Sequence, residues 1–368
     1  FTFPVSVTFL PDGRFIVSEQ QGIAYMVVNG VKRATPVWSA TAEVLKNGDR
    51  GLLGVAVDPH FYQNHYVYFL YTVDPDSNGV DDNQLGFGRL TRYQMRATGD
   101  TNTVNPATRT VLMGQDWRRG KLDAGLSHSI GSLRWGSDGS LLVSEGEGAE
   151  YNGVDPGGLQ PTAFGPTRTD PNEDIGAFRA QDITNICGKI LRLNPANGQG
   201  YPSNPFATAD LSANQSKVFQ YGLRNPFRFT VKPGTGSANV TAGNPGTLFI
   251  GDVGWETWEE FDIATQPGQN FGWPCYEGLT FNTPYQTATP AHNGCGSVGT
   301  ATNPNPWKLP ESVWHHYTPS LSVPPGVFGV ASVGSEVWVL LGYGALVAAA
   351  STRFREPAWL ARFDRCAG

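Results

Sequence analysis

Short apolar and polar runs alternate along the whole chain, and no stretch of a dozen residues holds a helical period. The run Phe9-Leu10-Pro11-Asp12-Gly13-Arg14-Phe15-Ile16-Val17-Ser18-Glu19 is matched by Trp135-Gly136-Ser137-Asp138-Gly139-Ser140-Leu141-Leu142-Val143-Ser144-Glu145. In both, an Asp-Gly pair separates two β-rich runs, which predicts a hairpin closed by a type I′ turn. Looser copies span 245–252 and 333–339. A second piece recurs at variable distance: Gly88-Arg89-Leu90-Thr91-Arg92-Tyr93, Gly188-Lys189-Ile190-Leu191-Arg192-Leu193 and Ala358-Trp359-Leu360-Ala361-Arg362-Phe363. Its period-two alternation reads as outer strands with their arginines turned to solvent. A hairpin plus an outer strand, repeated, predicts an all-β chain folded as one β-propeller domain over residues 1–368. Segments 146–182 and 274–314 are long and poor in apolar residues, so they are expected to lie over one face and wall a central site.

Composition narrows the function classes. The 368 residues include 45 glycines and 27 prolines, only 16% are charged, and 12% are aromatic, a mix that suits many short strands and disfavours a helical bundle. With a net charge of -6 and no basic run, nucleic acid is not an expected partner. The longest apolar stretch, 337–350, is broken by Gly342, Tyr343 and Gly344, so no membrane span is expected. The chain starts at Phe1 without a signal-peptide pattern, which fits a leader already removed. Cys275 and Cys295 bracket a Pro/Thr/Asn-rich loop without zinc-like spacing, so a disulfide closing that loop is preferred over two free thiols. Such a bond implies an oxidising, extracellular setting. Cys187 is either a buried thiol or the partner of Cys366.

The chemistry converges on His128. It precedes an inner strand, where a propeller opens onto its axis, and an antiparallel return would bring Glu147 beside the imidazole to fix its tautomer. A lone histidine is more often structural than catalytic; position is what singles this one out. Arg224 and Arg228 flank Asn225-Pro226, and Pro226 holds Asn225 extended. An Arg fork there suits a carboxylate or quinone oxygen, against the plainer reading of a surface salt bridge. Gly254, among Asp252, Glu256, Glu259, Glu260 and Asp262, could offer carbonyl oxygens to a cation such as Ca2+, or mark an ordinary bulge. Asn172-Glu173-Asp174 is a further cation feature without EF-hand spacing. GxSxG, P-loop and GxGxxG motifs are all absent, so serine-hydrolase, ATP and nicotinamide chemistry lack support.

Taken in order, Arg50 to Phe61, His128 to Gly139, Gly188 to Leu193, Gly222 to Pro226, Gly251 to Glu260 and Asn270 to Pro274 resemble the soluble quinoprotein glucose/sorbosone dehydrogenase family. The Cys-bracketed loop after Trp273-Pro274 is more similar to the fungal pyranose dehydrogenase branch than to bacterial glucose dehydrogenases. The resemblance implies a six-bladed propeller with pyrroloquinoline quinone (PQQ) and Ca2+ on its axis, oxidising a small sugar substrate at its C1 hydroxyl. It assigns His128 as general base and Glu147 as its supporting carboxylate, a place usually held by Asp. Arg224 and Asn225 match PQQ contacts, and Asp49 and Arg50 fall where a polar group lies near substrate and cofactor. Gly254 and Trp255 match the backbone carbonyl donors to Ca2+. Reoxidation implies a cytochrome haem domain or another electron acceptor. Two features depart from the family. Phe227 replaces a polar residue of the bacterial members, and the late basic segment that grips the PQQ carboxylates is missing after Pro319, leaving Lys308 and Arg353 as loose substitutes. Two other readings compete: a non-catalytic propeller that binds protein or glycan, and a Ca2+-dependent lactone or ester hydrolase.

Overall fold

The computed structural model describes residues 1–81, 85–158, 174–288, 295 and 307–315. They form four antiparallel sheets in chain order. The first holds β1 (Pro4–Phe9), β2 (Phe15–Glu19), β3 (Ile23–Val28) and β4 (Val31–Ser39). The second holds β5 (Leu52–Val57), β6 (Tyr66–Val73), β7 (Gly86–Met95) and β8 (Val104–Met113), with β9 (Lys121–Asp123) also on β7. In the third are β10 (Ile130–Trp135), β11 (Leu141–Glu145), β12 (Lys189–Leu193) and β13 (Val218–Tyr221). β14 (Arg228–Val231), β15 (Leu248–Asp252) and β16 (Trp258–Ala264) open the fourth. A small hairpin, β17 (Tyr276–Glu277) and β18 (Thr280–Phe281), precedes its last strand, β19 (Ser312–His315).

The first strand of each sheet packs on the first strand of the next, β1 on β5, β5 on β10 and β10 on β14, and Arg228 Nη2 of β14 donates to Val5 O of β1 at 2.9 Å. This is the radial arrangement of a propeller. Apolar faces meet between consecutive sheets: Trp38 stacks on Phe69 at 4.7 Å, Tyr68 meets Trp135 edge-on at 5.4 Å, and Leu142 packs with Phe229 and Ile250. No described helix is long and apolar enough to cross a membrane.

Three expectations change. The resemblance implies six blades, whereas the described residues form four. Long connections explain why the chain builds few sheets per residue: sheets two and three occupy residues 52–123 and 130–221, against 4–39 for the first. The hairpin copy at 333–339 and the strand copy at 358–363 lie outside the described residues. The Asp-Gly turns are not type I′, because Asp12 and Asp138 keep negative φ and only Gly13 (φ 90°) and Gly139 (φ 77°) are left-handed. Gly13 N donates to Leu10 O, Leu10 N donates to Arg14 O, and 136–140 repeats the pattern: a turn followed by a glycine bulge. The two-residue turn with both φ positive is Asn29-Gly30, between β3 and β4. Finally, Arg192 does not face solvent. β12 is covered on both faces, and Arg192 Nε and Nη2 grip Asp138 Oδ2 at 3.1 and 2.6 Å, tying the third strand to the hairpin turn.

Candidate active site

Register brings His128 and Glu147 together. Ile130 pairs with Glu145 across β10 and β11, so the residues two positions beyond each strand end continue the opposition. His128 Nδ1 lies 2.9 Å from Glu147 Oε1 and 2.7 Å from Oε2, with both side chains almost wholly enclosed. Burial alone would raise the Glu147 pKa; the His128 ring, its hydrogen bond and the Arg224 charge outweigh burial and hold it below the ordinary carboxylate value. An ionised carboxylate on Nδ1 places the proton there, and Nε2 is then the basic nitrogen. No described residue bonds to Nε2.

The His128 backbone is left-handed (φ 52°), a conformation that costs a residue with a side chain about 1–2 kcal/mol. Both of its polar groups are clamped. The amide donates to Asp49 Oδ2 at 2.9 Å, and the carbonyl accepts from Lys121 Nζ at 2.7 Å and Gly148 N at 3.1 Å. Lys121 is fully buried and pairs with Asp123 at 2.9 Å, and the hydroxyls of Ser129 and Thr72 donate to the same carboxylate. Sequence reasoning missed Lys121 and Asp123. Their signal was the period-two spacing that puts both on one face of β9, next to the segment leading to His128.

Arg224 and Asn225 occupy the β13–β14 connection. Their amides donate to the two oxygens of Asp252 at 2.9 and 2.7 Å, and burial pushes that carboxyl up to about 7 despite these bonds. Arg224 Nη1 donates to Val253 O (3.1 Å) and Gly254 O (2.6 Å), and its guanidinium lies 5.2 Å from the Trp273 ring. The Glu147 amide donates to Arg224 O at 2.8 Å, while Asn225 Nδ2 reaches Asp49 Oδ2 at 3.4 Å. Asp49 therefore touches both His128 and Asn225, and five predicted residues form one constellation: Asp49, His128, Glu147, Arg224 and Asn225.

Arg50 is placed differently. It is fully buried, 2.9 Å from Asp81, and donates to Asp123 O and Gly125 O at 3.2 and 3.1 Å. Its fork is spent on the protein's own groups. Gly254 sits so close to the next strand that a Cβ would lie 1.4 Å from Trp258 O, which only glycine permits. Trp255 donates its amide to Glu277 Oε1 (2.8 Å) and its indole to Tyr151 O (3.2 Å), and its ring packs 5.3 Å from Tyr285. Cys275 and Cys295 are disulfide-bonded, 20 residues apart. Cys187 is a buried free thiol that donates to Leu122 O at 3.6 Å, and burial raises its pKa to about 11. Cys366, Arg353, Asn172 and Glu173 lie outside the described residues; Lys308 is described, its amide donating to Asn270 O at 2.7 Å.

Buried polar atoms without partners test the fit of a cofactor. Arg224 Nε and Asn225 Oδ1 are buried and have no hydrogen-bond partner, close to a histidine whose Nε2 is also unbonded. The unmet Arg224 donor fits an oxygen of an anionic ligand such as a quinone acid, and the unmet Asn225 acceptor fits an N–H or O–H on the same ligand. Calcium fits less well. The Gly254 carbonyl already holds the Arg224 cation, and no group of three or more acidic, Cys or His side chains among the described residues is arranged to hold a metal.

A family model described as Glucose / Sorbosone dehydrogenase matches residues 1–305. The chain is 25% identical over 271 residues to the aldose sugar dehydrogenase YliI of Escherichia coli (strain K12), covering 74% of this chain and 58% of that protein. It is also 25% identical over 304 residues to the HIPL1 protein of Arabidopsis thaliana, covering 73% and 40% respectively. The chain thus spans about half the length of these curated relatives. Among solved structures it is similar to the PQQ-bound aldose sugar dehydrogenase of Streptomyces coelicolor, with a TM-score of 0.56, 22% identity and coverage of 86% of this chain and 69% of that one. That likeness supports the propeller-type fold, and with a family model covering most of its length, the chain belongs to the glucose/sorbosone dehydrogenase family.

Proposed function

We propose that the protein is a PQQ-dependent sugar dehydrogenase that oxidises the C1 hydroxyl of an aldose or 2-keto sugar. One observation carries this reading: a histidine with Nδ1 fixed by a buried carboxylate and Nε2 unbonded lies beside an arginine and an asparagine with unmet buried polar atoms. Bound PQQ would supply the acceptor for the hydride leaving C1. His128 Nε2 takes the hydroxyl proton, and Glu147 stabilises the resulting imidazolium. Arg224 would hold a cofactor oxygen through Nε, Asn225 Oδ1 would accept from an N–H or O–H of the bound ligand, and Asp49 keeps His128 and Asn225 in fixed relation. No step is routed through calcium. Electrons would leave to a separate acceptor such as a haem domain. Export to an oxidising compartment and a pyranose substrate complete the proposal; the Cys275–Cys295 bond supports the first, and the loop it closes after Trp273-Pro274 supports the second.

The test is to add PQQ, with and without Ca2+, to the protein and follow dye reduction with aldoses and 2-keto sugars. Sugar-dependent reduction is expected, together with a change in the PQQ absorbance on binding. No reduction with any sugar and no absorbance change would overturn the proposal and favour a binding propeller.

A further inference from the structure

A tryptophan N–H that is taken out of water normally finds an acceptor. Trp273 Nε1 has none among the described residues, although the residue is only 4% exposed. The ring is not free to turn outward. It packs edge-on against Tyr285 at 5.3 Å and Trp255 at 6.2 Å. Its backbone is held as well: the amide donates to Gly222 O at 2.9 Å, and the carbonyl accepts from Gln181 Nε2 at 2.7 Å. Packing does not ask for the nitrogen, since a phenyl ring makes edge contacts of the same kind and leaves no donor unmet.

The same ring touches the His128 constellation. The Arg224 guanidinium lies 5.2 Å from the ring centre, and Arg224 Nε is also buried without a partner. Two unmet donors, one charged and one neutral, therefore belong to two side chains in contact. Their spacing is a property of the fold. Trp273 N bonds Gly222 O, two residues before Arg224, and Phe271 N bonds Tyr221 O at 2.9 Å, so the two segments are laced together. Both groups can only donate, so what they lack is an oxygen from outside the protein.

We propose that Trp273 is a further binding residue of the cofactor seat: its Nε1–H donates to an oxygen of the same anionic ligand that Arg224 Nε holds. The inference rests on the quinone reading above and adds to it a residue that carries no charge. Arg224 supplies the attraction. Trp273 supplies direction, because its single N–H has one axis, whereas a guanidinium offers five donors. Trp273 takes no part in the proton transfer; it fixes how the ligand sits beside His128.

The test compares the full wild-type chain with Trp273→Phe, which keeps an aromatic ring against Tyr285 and Trp255 and removes the N–H. PQQ is titrated by its absorbance without sugar or dye, so turnover does not enter the readout. About tenfold weaker binding is expected, the worth of one hydrogen bond to a charged group. In parallel, isotope-labelled wild type is followed by the NMR signals of its ten indole N–H groups. The Trp273 signal, assigned by its loss in the variant, moves downfield and exchanges more slowly with water when PQQ is added. If Trp273→Phe does not fold, the signal is assigned in the wild type through its ring contact with Tyr285, and its response to PQQ decides. Equal PQQ affinity in the two proteins, or a Trp273 signal that PQQ leaves unmoved, overturns the inference and leaves the quinone reading standing. A wild type that binds no PQQ overturns that reading, and this inference with it.

Discussion

Arg50 and Arg224 stand on connections that lead into first strands, and both are almost enclosed, yet their guanidiniums are used in opposite ways. Arg50 faces Asp81 and Asp123, and the neighbouring carbonyls take its remaining donors. Arg224 faces carbonyl oxygens and an aromatic ring, and its Nε is buried without a partner. Two buried cations in one fold therefore differ in compensation. A guanidinium whose charge and donors are met is a strut. One left short of an anion, beside a histidine with an unbonded nitrogen, is a receptor.

The largest expected effect separates the two directly. Arg50→Met removes the buried cation between Asp81 and Asp123, so urea unfolding should lose about 3–5 kcal/mol. Arg224→Met should lose much less stability but weaken PQQ binding by about tenfold to a hundredfold, the worth of a charged hydrogen bond. If Arg224→Met unfolds the protein as Arg50→Met does, the distinction fails. Lys121→Met sharpens it from beneath the site. That change leaves the His128 carbonyl held by Gly148 N alone, so dye reduction should fall while PQQ affinity holds, and the pH profile of turnover should shift because the imidazole is held less firmly on Glu147.

The smallest effect is on pH dependence. Glu147 has a depressed folded pKa, so its contribution to stability is fully present above the unfolded carboxylate value of about 4.3 and is lost as pH falls through the lower folded value. Glu147→Gln should flatten that acid limb of the stability curve. An unchanged limb would mean that the ion pair with His128 does not form in solution.

Parts of this were readable from the chain, and the reason differs by element. The hairpins at Asp12-Gly13 and Asp138-Gly139 are local, so four or five residues announce them. The turn type is not local in the same sense, because aspartate can stay at negative φ and leave the left-handed place to glycine alone. In the second sheet the outer strand at 88–93 was legible as a repeat, but the first hairpin was not: it turns through Asp58 to His65 by a short helical turn, with no Asp-Gly signal. The pairing of His128 with Glu147 follows from one hairpin register and was legible. The fate of Arg50 depends on Asp81, on the β6–β7 connection, and Asp123, at the end of β9, and no local pattern brings them together. Burial of Arg192 was hidden for a similar reason: its partner Asp138 lies 54 residues away, and a strand pattern gives alternation without saying which faces will be covered.

The central claim is that the His128 constellation receives a quinone and takes a proton from a sugar. Its most direct test is an absorbance titration of the protein with PQQ, followed by addition of glucose, for wild type and His128→Gln. The account predicts a saturable change in the PQQ spectrum for both proteins, with glucose bleaching the bound cofactor quickly only in wild type. A flat titration, or equal bleaching in both, would contradict it.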